Sequence, residues 1–212
     1  MTTLSTTTPF LSILAAAAAL ATATAAIAAD GAATVTTTTE KTVTQTTVTV
    51  PATPAAPMAM PAGNPARASA QLKGGATGMG DGEVTMDQQG DAVLVHVVAG
   101  GLAPGSTHGF HVHDKGVCAG PDFMSAGGHF NPAAHAHGGQ EMEHHAGDMP
   151  NLVADSNGRI DAKLVLHGVW LGGNSGLVGH AVVLHAMPDD YHTQPTGNAG
   201  PRLACGVLAA GG

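Results

Sequence analysis

The stretch Gly109-Phe110-His111-Val112-His113 decides how this chain folds. If it forms a β-strand, its side chains alternate between two faces with a period of two. Phe110 and Val112 then enter a core, while His111 and His113 point together at one place on the other face. Two neutral imidazoles on one side of a strand can chelate a borderline metal such as copper or zinc. The alternative is a half-buried strand that carries two surface histidines.

The composition favours short strands over a large helical core. The 212 residues include 30 Gly and 13 Pro, while only 3% are aromatic and 10% are charged. The net charge of -8, with only seven Lys and Arg residues, argues against a nucleic-acid partner. The chain has thirteen histidines, and the bunching of eight of them between His108 and His145 indicates metal binding.

Turn signals separate about eight short runs whose patterns are typical of β-strands. No helix with a convincing apolar stripe is found, so the pattern predicts an all-β antiparallel sandwich or barrel. The long stretch 114–150 has almost no strand pattern, and such a loop inside a compact domain is usually functional. The predicted strands are residues 70–73, 83–88, 92–98, 108–113, 151–154, 159–166, 180–185 and 203–208.

Two segments precede the predicted domain. Residues 1–29 are predicted to be a signal peptide, because 10–29 are apolar and Ala-rich and contain Ala-x-Ala cleavage sequences, although no Lys or Arg precedes them. A single membrane anchor is the alternative, but Ala and Thr are weak membrane formers, so no stable membrane insertion is expected after cleavage. Residues 30–66 are Thr-, Pro- and Ala-rich and are predicted to be a disordered linker. Residues 67–212 remain as the folded domain.

The chain contains two cysteines, Cys118 and Cys205. Without a third, neither a Cys-rich zinc site nor an iron–sulfur cluster is available. In an exported protein, periplasmic or secreted, such a pair indicates one disulfide. Two buried free thiols are the alternative in a reducing compartment.

Five further motifs follow the opening stretch along the chain. Together with that stretch, they resemble the motifs of the copper/zinc superoxide dismutases, most closely those of the secreted bacterial branch. The resemblance extends from about Ala68 to Ala209 without large gaps. It implies an eight-stranded Greek-key barrel with two long functional loops. The motifs are residues 128–132 (Gly-His-Phe-Asn-Pro), 137–139 (His-Gly-Gly), 145–148 (His-Ala-Gly-Asp), 183–185 (Val-Leu-His) and 197–206 (Gly-Asn-Ala-Gly-Pro-Arg-Leu-Ala-Cys-Gly).

The resemblance implies one copper and one zinc ion per subunit, with one histidine shared as a bridge. Four imidazoles suit both Cu(II) and Cu(I), and three imidazoles with one carboxylate suit a structural, tetrahedral zinc. The implied copper ligands are His111, His113, His129 and His185, and the implied zinc ligands are His129, His137, His145 and Asp148.

Two neighbouring histidines compete with the implied zinc ligands. His135 lies close to His137, and His144 adjoins His145. The residues that follow His137 and His145 match the family motifs, so these two are chosen. His135 and His144 are then surface histidines or a secondary loading site.

Two residues outside the ligand sets have implied roles. Asp189, four residues after His185, would bond His111 and one zinc histidine, His137, and so fix the orientation of their rings. Arg202 would attract the superoxide anion with a permanent positive charge and hydrogen-bond donors.

The activity implied by the resemblance is the conversion of two superoxide anions and protons to dioxygen and hydrogen peroxide through Cu(II)/Cu(I) cycling. His129 would also deliver a proton. The alternatives are a non-enzymatic periplasmic module that binds or stores copper and zinc, and a structural or assembly domain of the same fold. Storage needs neither Arg202 nor Asp189, and no copper histidine is lost, which favours the enzyme. A homodimer is compatible with the sequence.

Overall fold

The structure, a computed structural model, describes the backbone of residues 23–27, 33–39, 42–46 and 65–211, and side chains within 65–211. The chain divides into two units after Ala56. In the first unit, strands β1 (Ala23–Ile27), β2 (Ala33–Thr39) and β3 (Thr42–Thr46) form an antiparallel sheet in that order.

The strands β2 and β3 lie where the sequence predicts a disordered linker. Both are rich in Thr, with Val interspersed, and these β-branched residues favour extended, paired backbone. The rest of residues 28–64 lies outside the described residues, as do residues 1–22 of the predicted signal peptide. The division into a signal peptide (1–29), a linker (30–66) and a domain (67–212) stays a prediction.

The described part of the second unit contains the strands β4 (Arg67–Gly74), β5 (Gly82–Gln89), β6 (Ala92–Ala99), β7 (Thr107–His108), β8 (Phe110–His113), β9 (Leu152–Val153), β10 (Ile160–His167), β11 (Ala181–His185), β12 (Arg202–Val207) and β13 (Ala209–Ala210). Eight of them form a curled antiparallel sheet in the order β10-β6-β5-β4-β12-β11-β8, with β13 also paired to β4, while β7 and β9 form a separate pair. Strands β4 to β6 follow one another as hairpins. The chain then crosses to β8 at one edge, returns to β10 at the other, and crosses again to β11. Strand β12 finally lies beside β4, which confirms the predicted antiparallel Greek-key architecture.

Alternation along β8 places the core on one side and the histidines on the other. Phe110 and Val112 are fully buried members of the main apolar cluster. Burying such a side chain contributes about 1.5–3 kcal/mol, so the register of β8 is firmly set. His111 and His113 are therefore held on the opposite face, as the sequence predicts.

The predicted strand 108–113 is divided by Gly109. Its N–H donates to the carbonyl of Met187 over 2.8 Å, and its carbonyl accepts from the N–H of His185 over 2.9 Å. A Cβ at this position would lie 2.8 Å from the Cβ of Ala199. The close approach requires glycine, and the chain changes partners there: β7 pairs with β9, whereas β8 pairs with β11.

The loop 114–150 is anchored by a disulfide between Cys118 and Cys205, which confirms the predicted bond. Cys205 lies on β12, so the bond ties the loop to the sheet. Phe123 and Ala126, at the short 3-10 helix Met124–Ala126, pack against the disulfide in a second small apolar cluster. Among the described residues, no helix has the length and apolar character needed to cross a membrane.

Candidate metal centre

The sheet places three histidines at one place. His111 and His113 lie on β8, and the antiparallel register pairs Val183 of β11 with His111. This register brings His185, two residues further along β11, to the same face. His129 enters from the loop 114–150 and forms an isolated bridge with His113. The four imidazoles are buried, and their ligand-type nitrogens all lie within 4.8 Å of one another.

The loop 114–150 contributes a second group, which shares His129. The members His129, His137, His145 and Asp148 are buried and also bring their ligand-type atoms within 4.8 Å of one another. Gly147 fixes this part of the loop, because its carbonyl accepts from the N–H of Val112 over 2.8 Å. A Cβ at Gly147 would collide with the Val112 carbonyl. The sequence-predicted copper and zinc sets therefore coincide with the two groups that the structure brings together.

Backbone carbonyls fix the ring nitrogens of the first group. Nδ1 of His113 lies 3.0 Å from the carbonyl of Gly127, and Nδ1 of His185 lies 3.2 Å from the carbonyl of Gly200. A carbonyl only accepts, so each Nδ1–H donates and each Nε2 keeps its lone pair. These two Nε2 atoms are 3.3 Å apart. Two lone pairs that face each other at this distance suit a cation between them.

Among the residues whose side chains the structure describes, three buried side-chain nitrogens have no hydrogen-bond partner: Nδ1 of His111, Nε2 of His129 and Nδ1 of His137. Nδ1 of His137 lies 3.0 Å from Oδ2 of Asp148, but without the alignment of a hydrogen bond. Unpaired buried polar atoms are costly. Metal coordination would satisfy all three, so the donor sets fit the two implied ions.

The second group has the donor chemistry of a structural zinc site. Oδ1 of Asp148 lies 2.7 Å from Nδ1 of His129 and 3.2 Å from Nδ1 of His145. Nδ1 of His137 approaches the other carboxylate oxygen. Three imidazole nitrogens and one carboxylate, all supplied by the protein, suit tetrahedral zinc.

Asp189 connects the two groups. Its Oδ2 accepts from Nε2 of His111 over 2.8 Å, and its Oδ1 accepts from Nε2 of His137 over 2.9 Å. The carboxylate is fully buried and also accepts the N–H of Tyr191 over 2.6 Å. A Cβ at Gly197 would collide with it. These two hydrogen bonds orient both rings, so that Nδ1 of His111 and Nδ1 of His137 are the nitrogens left without a hydrogen-bond partner. The sequence predicts this orienting role for Asp189.

Three histidines of the first group, His111, His113 and His185, are neutral at neutral pH. Burial lowers the pKa of His111 to about 4, that of His113 to about 2 and that of His185 to about 3. A metal ligand must offer a lone pair, so the neutral form is the competent one.

The second group holds compensating charges. Burial acts to lower the pKa of His137, but its close contact with the Asp148 carboxylate and its hydrogen bond to Asp189 prevail and raise it to about 9. Burial acts to raise the pKa of each carboxyl, yet the nearby histidines prevail and lower it. His129 and His137 lower the pKa of Asp148, and His111 and His137 lower that of Asp189. Both carboxyls are therefore ionised and attract a cation.

Arg202 lies beside the first group. It lines an open cleft together with His113 and His185. Its guanidinium donates to the carbonyl of Phe123 over 2.6 Å and to that of Gly127 over 2.5 Å. The Gly127 carbonyl also accepts from Nδ1 of His113, so one backbone oxygen holds both side chains. The arrangement presents a fixed positive charge to an anion that enters the cleft.

Sequence reasoning missed three features of the centre. The carbonyls of Gly127 and Gly200, which fix the ring nitrogens, have no signal in residue type. Asp122 lines the same cleft as Arg202. His108 is buried, with Nδ1 2.7 Å from the carbonyl of His185. The available sequence signal for His108 was its position directly before the stretch 109–113.

Replacing Asp189 by asparagine tests its orienting role. An amide cannot accept from both rings with two equivalent oxygens, so we expect about a 10–100-fold weaker affinity for metal. Asp190→Asn is the matched control, because that carboxylate accepts only from nearby groups of its own loop, at His192 and Thr193, among the described residues. Competition against a chelator measures both affinities. Equal affinities for the two variants would contradict the orienting role.

Comparisons with known proteins agree with this geometry. Residues 80–208 match the family model described as copper/zinc superoxide dismutase. The chain is 43% identical over 120 residues to "Superoxide dismutase-like protein YojM" of Bacillus subtilis, which covers 54% of this chain and 61% of that protein. It is 41% identical over 149 residues to the Cu-Zn superoxide dismutase of Caulobacter vibrioides, which covers 66% of this chain and 84% of that one. The crystal structure of the clock protein EA4 superposes with a TM-score of 0.63 at 40% identity, over 69% of this chain and 96% of that one.

Proposed function

The chain belongs to the copper/zinc superoxide dismutase family, and from this premise we propose that it converts two superoxide anions and two protons to dioxygen and hydrogen peroxide. One observation supports the proposal above the others. Two buried groups of four ligand-type side chains share His129, and the first group adjoins a cleft that carries Arg202. A metal-storage module needs the two groups but not the positive charge beside them.

We assign one ion to each group. The copper ligands are His111, His113, His129 and His185, and the zinc ligands are His129, His137, His145 and Asp148. Bound copper would supply the one-electron Cu(II)/Cu(I) redox couple, and zinc would supply structural charge. The unpaired nitrogens of His111, His129 and His137 support this assignment.

His129 is the proton-handling residue. It offers one ring nitrogen to each group: Nδ1 lies on the side of Asp148, and Nε2 is buried without a partner on the other side. Nε2 can therefore hold a proton and deliver it to reduced substrate. The fixed Nδ1 contact keeps the ring in place while this proton moves.

Arg202 binds the substrate anion. Carbonyls hold two of its guanidinium nitrogens, and the residue is half-exposed in the cleft. Asp122 lines the same cleft and partly offsets the charge. Attraction is therefore local, at the end of the cleft beside His113.

Removing the positive charge of Arg202 tests the proposed anion site. We expect Arg202→Ala to lower kcat/KM by about 10–100-fold, somewhat less than the loss of a donor in an enclosed oxyanion hole. The matched control is Arg159→Ala, which removes an exposed arginine that does not line the cleft. Dismutation rates by pulse radiolysis at low and high salt give the result. An unchanged rate with full metal content would remove Arg202 from the function.

The proposed location is the periplasm or the cell exterior. The Cys118–Cys205 disulfide supports it, because disulfides persist in oxidising compartments. The segment 1–29 would direct export, and the mature chain would carry no stable membrane insertion. Superoxide is the proposed partner, nucleic acid is not, and a homodimer stays a prediction.

A non-enzymatic copper or zinc binding module is the second candidate. One relative, YojM, is described as superoxide-dismutase-like rather than as a dismutase. The two candidates differ in one measurement. A chain that holds both metals and does not dismute superoxide is a binding module.

A further inference from the structure

The loop 114–150 contains two pairs of closely spaced histidines, and in each pair one ring faces inward and the other faces outward. In each pair one ring enters the inner group: His137 and His145 are buried. Their neighbours His135 and His144 instead line one surface cavity, which His167 at the end of β10 also lines. The outer histidines take no part in the proposed dismutase chemistry.

We propose that His135, His144 and His167, with Glu143, form a third and outer site for a zinc ion. The cavity that they line has a volume of about 520 Å³. Nitrogen and carboxylate donors suit a borderline divalent ion. The proposal does not depend on the dismutase activity.

Hydrogen bonds hold two of the outer rings in the form that a metal requires. Nδ1 of His135 lies 3.2 Å from the carbonyl of His144, and Nδ1 of His144 lies 2.7 Å from the carbonyl of Met142. Carbonyls only accept, so both Nδ1–H groups donate and both Nε2 atoms keep their lone pairs. Metal-binding histidines characteristically donate their second N–H in this way.

The backbone of His135 is fixed as well. The side chain of Asn131 accepts the His135 N–H over 3.0 Å and donates to its carbonyl over 2.8 Å. The ring is thus anchored at both its backbone and its Nδ1.

The separation of the Glu143 carboxylate from His135 is close to the distance between two ligands of one zinc ion. Its Oε1 lies 3.9 Å from Nε2 of His135, too long for a hydrogen bond. Two tetrahedral ligands at about 2.0–2.2 Å from one zinc ion are about 3.3–3.6 Å apart, so the two side chains must approach by only a few tenths of an ångström. The side chains are 41% and 81% exposed, so both can turn toward an ion.

The outer site is weaker than the inner ones. Within the described part of the chain, only the two inner groups bring their ligand-type atoms within 4.8 Å. The outer side chains must lose rotamer freedom when they close on an ion. An ion at the outer site is therefore removed by dialysis under conditions that leave the inner groups loaded.

The test is a zinc titration of the full chain after copper and zinc loading and dialysis. We expect the wild-type chain to bind one further Zn(II), measured by calorimetry, and His135→Ala/His144→Ala to lose this equivalent. His96→Ala/His192→Ala is the matched control, because it removes two surface histidines elsewhere and should keep the extra ion. No extra ion in the wild type, or an extra ion retained by the first variant, overturns the proposal.

A second variant and a second readout separate the outer site from the inner ones. Glu143→Gln/His167→Ala alters the outer ligands without touching a neighbour of His145, so it decides the matter if His144→Ala disturbs the inner groups. Zinc added to the initially metal-free chain should also shift the NMR resonances of Nε2 in His135 and His144, even though the inner groups bind zinc as well. Absence of these shifts overturns the outer site.

Discussion

Replacing His113 by alanine is expected to lower kcat/KM for superoxide by at least about 100-fold, beyond the 10–100-fold typical of groups that only support a ligand. His113 is 0% exposed and belongs to the copper group alone. Its Nε2 faces Nε2 of His185 at 3.3 Å, so removing one of the pair opens the group. Copper content should fall with activity, whereas zinc content should stay near one per chain.

The control for this variant is His96→Ala, which removes an exposed imidazole on β6 that contacts Asp161. Its activity and metal content should equal those of the wild type. Pulse radiolysis and elemental analysis on the same samples provide both quantities. Full activity of His113→Ala with full copper content would exclude His113 as a ligand.

Removing the disulfide is expected to lower the free energy of unfolding by about 4–5 kcal/mol in the chain-entropy treatment. The bond joins cysteines 87 positions apart, and so long a loop gains much conformational entropy in the unfolded chain when it is released. Such a loss is a large fraction of the ~5–15 kcal/mol that stabilises a typical domain. Urea unfolding of Cys118→Ser/Cys205→Ser measures it.

The same variant should also lose activity, because Phe123 of the released loop supplies a carbonyl to Arg202. Ser125→Ala is the matched control. Its hydroxyl bonds the backbone of Ala119 and Val117 in the same loop, so its loss weakens the loop by only about 1 kcal/mol without cutting the cross-link. Equal unfolding free energies for the double cysteine variant and this control would contradict the role of the disulfide.

Strand alternation made part of the fold predictable. Phe110 and Val112 enter the core and the two histidines of β8 leave it, because side chains alternate strictly along an extended strand. The division of that strand was not predictable, since Gly109 changes partners through a close approach to Ala199 that lies far along the chain. Long-range contacts of this kind carry no local signal.

The choice between neighbouring loop histidines shows the same limit. His137 is buried in the second group and His135 is exposed, although only Ala136 separates them. Which ring turns inward depends on the loop backbone, and distant parts of the chain hold that backbone. The motif that follows His137 identified it through the resemblance, whereas spacing alone left both open.

Metal content and dismutation rate measured on one sample of the full chain test the central claim most directly. The proposed function predicts about one copper and one zinc ion per chain after dialysis, together with rapid dismutation of superoxide. Stoichiometric metal without dismutation, or several loosely held ions in place of the two firmly bound ones, would contradict it.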